Sequence, residues 1–181
     1  MKPLKFPELI RCDRINLKLL KPSDATQIFN LVNNQRKYIG EYLDWVDNIQ
    51  TIDDEIQYVN QKIKERGNLI SFDWCIYKNS TDKFIGYIGT DPVGTLLNIG
   101  QCIDWKNDTI SFAYFLDKNA NGNGYMTEAL DTLKEIAIGM GFKRIEIHAE
   151  PNNTKSQAVA KRCGFAHDEK DSGNMHYISK K

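Results

Sequence analysis

Polar and apolar residues alternate from Arg14 to Leu20, the period of a strand with one buried face. Lys21-Pro22-Ser23-Asp24 breaks the alternation. Ser23 or Asp24 is placed to cap a helix whose apolar side carries Ile28, Phe29, Leu31 and Val32. The stretch Tyr38 to Val46 is aromatic and irregular. Thr51 followed three residues later by Asp54 forms a capping-box pattern, and Ile56, Val59 and Ile63 follow at helical spacing up to Gly67. The period then changes. Phe72 to Tyr77 and Phe84 to Ile88 are rich in β-formers, and the polar residues between them predict a hairpin. Leu96 to Ile103 predicts a weaker strand and Thr109 to Leu116 a strong one. A polar loop from Asp117 to Gly124 leads into a helix with Met126, Leu130, Leu133, Ile136 and Ala137, ended by Gly139 and Gly141. Lys143 to Ala149 is a further strand, and Pro151 introduces a helix through Arg162 that Gly164 closes. The tail from Phe165 to Lys181 is expected to supply one or two short strands. This order predicts one mixed α/β domain over residues 1–181, without repeats or linkers.

Composition narrows the function classes. The chain has 181 residues, 41% hydrophobic and 27% charged, enough for a core without staples and unlike a disordered or fibrous chain. Lys+Arg and Asp+Glu are both 24, so the basic excess of a general nucleic-acid binder is absent. No apolar run approaches the ~20 residues that span a bilayer, and Met1 to Ile10 lacks the apolar stretch of a signal peptide. These features predict no membrane contact and a cytoplasmic location. Cys12, Cys75, Cys102 and Cys163 are far apart, without Cys-x-x-Cys or a nearby His at ligand spacing, so ordinary thiols and no metal are expected.

The informative segment is strand, Asn119-Ala-Asn-Gly-Asn-Gly124, helix. Such a turn leaves N–H groups free at a helix N-terminus, where the dipole adds positive potential, and this suits a pyrophosphate. Glycine lets a phosphate approach the backbone. Taken alone, the two glycines are equally explained by a loop that needs positive φ. The Walker pattern is absent because no Gly-Lys-Ser/Thr follows, and Thr127 stands where the Rossmann pattern has its third glycine.

Gly122-Asn-Gly-Tyr-Met-Thr-Glu-Ala-Leu130, then Asn153-Thr-Lys-Ser156 and Cys163-Gly-Phe165, resembles the GNAT acyltransferase superfamily, in its RimJ/RimL-like branch of ribosomal-protein N-acetyltransferases. Ile15 to Ala25, Tyr42-Leu-Asp-Trp-Val46 and Ser111 to Leu116 extend the resemblance over nearly the whole chain up to Phe165. It implies an α/β (α+β) fold, the GNAT acyl-CoA N-acyltransferase fold, with a mixed, mostly antiparallel central sheet flanked by helices. It implies acetyl-CoA as cosubstrate and no metal. Asn119, Gly122, Asn123 and Gly124 map to the loop that holds the pyrophosphate, with Tyr125, Met126 and Thr127 continuing the cradle. Asn119 replaces the usual Gln or Arg. The main chain of Phe115 and Leu116 would pair with the pantetheine arm, and Asn153 would hold its side.

The chemistry needs a neutral amine, a donor to the developing oxyanion and an acid for the departing thiolate. Many relatives carry a Tyr acid at the position of Ala160; the ribosomal-protein branch has a Ser at the position of Ser156. Ser156 is therefore the candidate acid, against a plain role in the first turn of its helix. For the base, relatives often place Glu at the position of Ser111. His148, Glu150, Asp104 and the tail residues Asp168, Glu169 and Asp171 are alternatives, as is an amine already neutral on arrival.

Tyr38, Tyr42 and Trp45 form a candidate acceptor wall, or else core filler. The expected function is acetyl transfer to a primary amine, at a protein N-terminus such as that of a ribosomal protein or on a small molecule. A non-catalytic acyl-CoA-binding module on the same fold is the rival, and a nucleotide site is a weaker one. The resemblance is compatible with a homodimer.

Overall fold

The computed structural model describes residues 5–91 and 102–167, and the backbone course of 175–180. Strand Ile15–Leu19 (β2) buries Ile15, Leu17 and Leu19, as the alternation predicts. It pairs with Leu9–Arg11 (β1), a strand too short for the pattern to show. Helix Ala25–Asn34 (α1) follows a tight turn at Pro22–Asp24. The expected side-chain cap does not form. Asp24 is the N-cap residue, but its Oδ2 accepts from the Lys21 N–H at 2.8 Å and closes the preceding turn instead. A single turn, Arg36–Ile39 (α2), and a 3₁₀ turn, Asp44–Asn48, make up the irregular aromatic stretch. Helix Ile52–Gly67 (α3) starts at the predicted box: Thr51 Oγ1 accepts from the Asp54 N–H at 3.2 Å, and Asp54 Oδ2 accepts from the Thr51 N–H at 2.7 Å.

Asp73–Lys78 (β3) and Phe84–Asp91 (β4) form the predicted hairpin, with β4 continuing past Ile88 to Asp91. Of the strand expected at Leu96 to Ile103, residues up to 101 lie outside the described ones, and Ile103–Asp104 (β5) pairs beside Thr109–Leu116 (β6). Helix Tyr125–Gly139 (α4), strand Arg144–Ala149 (β7) and helix Thr154–Arg162 (α5) fall where the pattern places them. Ala166–His167 (β8) and Met175–Lys180 (β9) are the short strands expected of the tail.

The sheet order is β1-β2-β3-β4-β6-β7-β9-β8, with β5 against β6. Every pairing is antiparallel except β6 with β7, which α4 connects. The sheet is thus mixed and mostly antiparallel, as the resemblance implies. The parallel pair runs only from Thr109↔Arg144 to Ser111↔Glu146. Beyond Ser111 the two strands diverge, although β6 continues to Leu116 and β7 to Ala149. One edge of β6 therefore faces an opening instead of a neighbour.

Alternation sends β6 side chains to two cores. Ile110 and Phe112 pack with Leu17, Trp74, Leu130 and Ile145 under α4 and α5. Phe115 packs with Ile28, Val59, Cys75 and Tyr87 under α1 and α3. The four cysteines are free thiols, and Cys75, Cys102 and Cys163 are buried. Among the described residues no helix is long and apolar enough to cross a membrane.

Candidate active site

The loop between β6 and α4 is stapled from within. Asp117 is buried and accepts from the Gln35 side chain at 2.8 Å and from the Asn119 N–H at 2.9 Å. The Asn121 amide donates to the carbonyls of Asp117 and Lys118 at 3.1 and 3.0 Å, and to the Tyr38 hydroxyl at 2.9 Å. The Asn123 amide donates to the carbonyls of Ala120 and Asn121 at 3.2 and 3.0 Å. These side chains absorb the loop's carbonyls. The N–H groups from Gly122 to Thr127 are left without a protein acceptor among the described residues. Gly122 and Gly124 have φ of 77° and 76°, and no Cβ stands over the donors. A row of free donors at the start of a 15-residue helix is suited to an anion such as a pyrophosphate. Asn119 lies outside the row, since Asp117 takes its N–H.

Arg14 is a residue that sequence reasoning missed. It reaches across from the bend before β2 to Glu128 at 2.8 Å and to the Asn123 carbonyl at 2.7 Å, and it stands over the Tyr125 ring with Lys78 nearby. Arg162 donates to the Thr127 hydroxyl at 3.1 Å. Three cations from three distant segments thus surround the cradle.

Beside the cradle the diverging strands leave a cavity of about 300 Å³. Phe115, Leu116, Met126, Asn153 and Ser156 line it, together with Tyr38, Tyr42 and Trp45. The structure therefore brings the cofactor, acid and acceptor-wall candidates to one cavity. Their partners differ. Tyr38 is tied to Asn121 beside the phosphate loop, and Lys155 sits 5.0 Å over its ring. Tyr42 reaches the Asn152 carbonyl at 3.5 Å, and Trp45 packs on Phe115 and Tyr58. Asn153 caps α5 by accepting from the Ser156 N–H at 3.0 Å. Ser156 Oγ is 3.0 Å from the Tyr114 hydroxyl. Burial holds the Tyr114 phenol well above its ordinary pKa, outweighing the Ser156 bond, so it stays a neutral donor. Tyr114 was not singled out from sequence; its strand alternation with Phe112 is the signal that points to this face.

The candidate bases separate. Asp104 accepts from the N–H groups of Lys106 and Asn107 and from the Asn107 amide, which makes it a turn closure. Ser111 is fully buried and donates to the Glu146 carbonyl. His148 and Glu150 line the cavity. Asp168, Glu169 and Asp171 lie outside the described residues. Asp91 enters instead. It pairs in register with Ser111 across β4 and β6, so both side chains leave one face of the sheet, and it lines the cavity. Burial pushes its pKa up to about 6, with Lys62 opposing and Asp73 adding to the shift.

Asp91, Leu43, Trp45, Ala113, Tyr114 and Phe115 also line a second, smaller recess of about 90 Å³ that adjoins the first. Its other walls include Glu55, Tyr58 and Lys62 from α3 and Asp73 and Tyr87 from the sheet. Tyr87 donates to Asp73 at 2.6 Å. Glu55 is 1% exposed, and neither of its carboxylate oxygens has a hydrogen-bond partner. Burial pushes its pKa up to about 7. A carboxyl raised in the fold contributes stability below its ordinary value near 4.5 and loses it as pH rises through about 7. That gap is worth about 3 kcal/mol. Glu55→Gln is thus expected to raise Tm at pH 8 and to leave it nearly unchanged at pH 4; equal shifts at both pH values would contradict the buried charge. Among the described residues, no group of three or more His, Cys, Asp or Glu side chains is placed to hold a metal ion.

The fold has counterparts among known proteins. The ribosomal-protein-serine acetyltransferase of Escherichia coli is 24% identical over 156 residues, which cover 84% of this chain and 79% of that protein. Among solved structures, the ribosomal L7/L12 α-N-protein acetyltransferase RimL in complex with coenzyme A is 19% identical. It has a TM-score of 0.83, covering 96% of this chain and 98% of that one. The microcin C7 self-immunity acetyltransferase MccE, in complex with acetyl-CoA and AMP, is 23% identical with a TM-score of 0.83, covering 97% and 98%. The acetyltransferase (GNAT) domain family matches residues 14–166. With that match over most of its length, the chain belongs to the GNAT acetyltransferase family, and it is an N-acetyltransferase with acetyl-CoA as cosubstrate.

Proposed function

We propose that the acceptor is a primary amine that arrives protonated, gives its proton to Asp91 and is acetylated in the cavity between β6 and β7. The observation that carries this reading is the position of Asp91. It stands opposite Ser111, where the strands begin to part, and supplies from β4 the carboxylate that Ser111 lacks on β6. The cradle from Gly122 to Thr127 holds the pyrophosphate, while Asn119 keeps the loop in place. The open edge of β6 at Phe115 and Leu116 pairs with the pantetheine arm. The thioester carbon then takes the amine nitrogen, and its bond to sulfur breaks. Ser156, bonded to Tyr114, gives the proton that the sulfur needs, and the second proton shed by the attacking nitrogen restores Ser156, so Tyr114 stays neutral and the first proton passes from Asp91 to solvent.

Two acceptor classes have support. Two of the relatives named above, the ribosomal-protein-serine acetyltransferase and RimL, act on ribosomal proteins by their names, which favours a protein N-terminus entering over Tyr42 and Trp45. The small acidic recess beside Trp45 favours a small cationic amine. A screen of peptides and small amines for acetyl-CoA-dependent thiol release separates them. No thiol release with any amine of either set, despite tight acetyl-CoA binding, would support a non-catalytic binding module instead. Dependence on acetyl-CoA supports a cytoplasmic place of work, and light scattering tests for the homodimer with which the family resemblance is compatible.

Ser156→Ala is expected to lower kcat roughly 10²-fold while acetyl-CoA affinity stays within a few-fold. Unchanged kcat would reduce Ser156 to a residue of the first helical turn.

A further inference from the structure

The geometry points to a second cation site: the recess behind Trp45 holds a second ammonium group of the acceptor, which makes the acceptor a short linear diamine. This inference rests on the small-amine reading above and specifies it.

Charge is the first support. The recess carries three carboxylates, Glu55, Asp73 and Asp91, against one cation, Lys62. Lys62 is also held by Glu65 at 3.3 Å. Burial opposes its charge more than any single neighbour favours it, but Asp73, Tyr58, Cys102 and Glu65 together outweigh burial, and the ammonium is kept firmly protonated. Asp73 is further satisfied by the Tyr87 hydroxyl. Two carboxylates, Glu55 and Asp91, are left to match a ligand, and a diamine brings two positive charges.

The second support is Glu55 itself. Buried polar groups are nearly always bonded, and one without a partner costs free energy and calls for an explanation. Both oxygens of this carboxylate are buried and unpartnered, in a side chain that lines a void. Turned toward the void, the carboxylate would be satisfied by a bound ammonium.

The walls are the third. Trp45 stacks on Tyr58 at 6.3 Å, and Tyr87 stacks on Phe115 at 5.5 Å. Aromatic faces beside a carboxylate attract an ammonium and exclude anions. The void of about 90 Å³ has room for roughly six water-sized groups, the size of a short aminoalkyl chain. Because Asp91 lines both spaces, one amine can sit with Asp91 near the thioester while the other reaches Glu55.

The test uses 1,4-diaminobutane and 1-aminobutane, which differ only in the second amine. Calorimetry without acetyl-CoA, near pH 7 in buffers of different ionisation enthalpy, is expected to show the diamine binding with proton release. Glu55→Gln, expected to fold at least as well as the parent, should abolish the release. Thiol-release kinetics should show a kcat/KM at least tenfold higher for the diamine, lost in Glu55→Gln through KM. Equal kcat/KM for the two amines would overturn the second site while leaving the small-amine reading intact. A diamine that binds with Glu55-dependent proton release but is not acetylated would uphold the cation site and overturn the diamine as acceptor.

Discussion

Gly124→Val is expected to weaken acetyl-CoA binding at least 100-fold by calorimetry, with the fold retained by circular dichroism. Gly124 is the N-cap of α4 and holds φ at 76°. A side chain in that region costs roughly 1–2 kcal/mol, and more when β-branched. A Cβ there would stand 3.3 Å from Arg14 Nη2, tighter than an ordinary contact. The strain can be relieved only by turning the peptide, and that turns the row of N–H donors away from the anion. Arg14 would be displaced from Glu128 and Asn123 as well. Unchanged affinity would mean that the donors from Gly122 to Thr127 do not hold the pyrophosphate.

Asp91→Asn is expected to lower kcat/KM roughly 10²- to 10³-fold, the scale of one positioned general base. Its pH profile separates a proton-accepting role from a merely structural one. In the parent, kcat/KM should rise with pH through about 6 as Asp91 ionises. The groups facing it are Glu55, Tyr58 and Lys62 on α3, Asp73 on β3, Tyr87 on β4 and Tyr114 on β6. In the variant that limb should vanish, and the rate should follow only the ionisation of the amine itself. Retention of the limb would move the base to another group; His148 and Glu150 line the same cavity.

Much of the fold was legible because short-range period and chain punctuation encode it. The alternation from Arg14 to Leu20, the Thr51–Asp54 box and the helix after Gly124 each appear where the local pattern places them. The cap at Ser23 or Asp24 did not, because Asp24 had a closer donor in the Lys21 N–H. Strand β1 escaped notice because three residues carry no period.

The site divides along the same line. The sequence by itself determined the parts built from contiguous residues: the Gly-containing loop before α4, the Asn153–Ser156 helix start and the family. Only the tertiary structure decided the parts assembled across strands. Sheet register sets Asp91 opposite Ser111, and alternation turns Tyr114 toward Ser156. The packing of α3 on the sheet buries Glu55 at a void, and the bend before β2 brings Arg14 to Asn123, 109 residues away. Periodicity is a property of neighbours along the chain and survives in the sequence. Proximity between distant strands, and the burial that shifts a carboxyl's pKa, exist only once the sheet has closed.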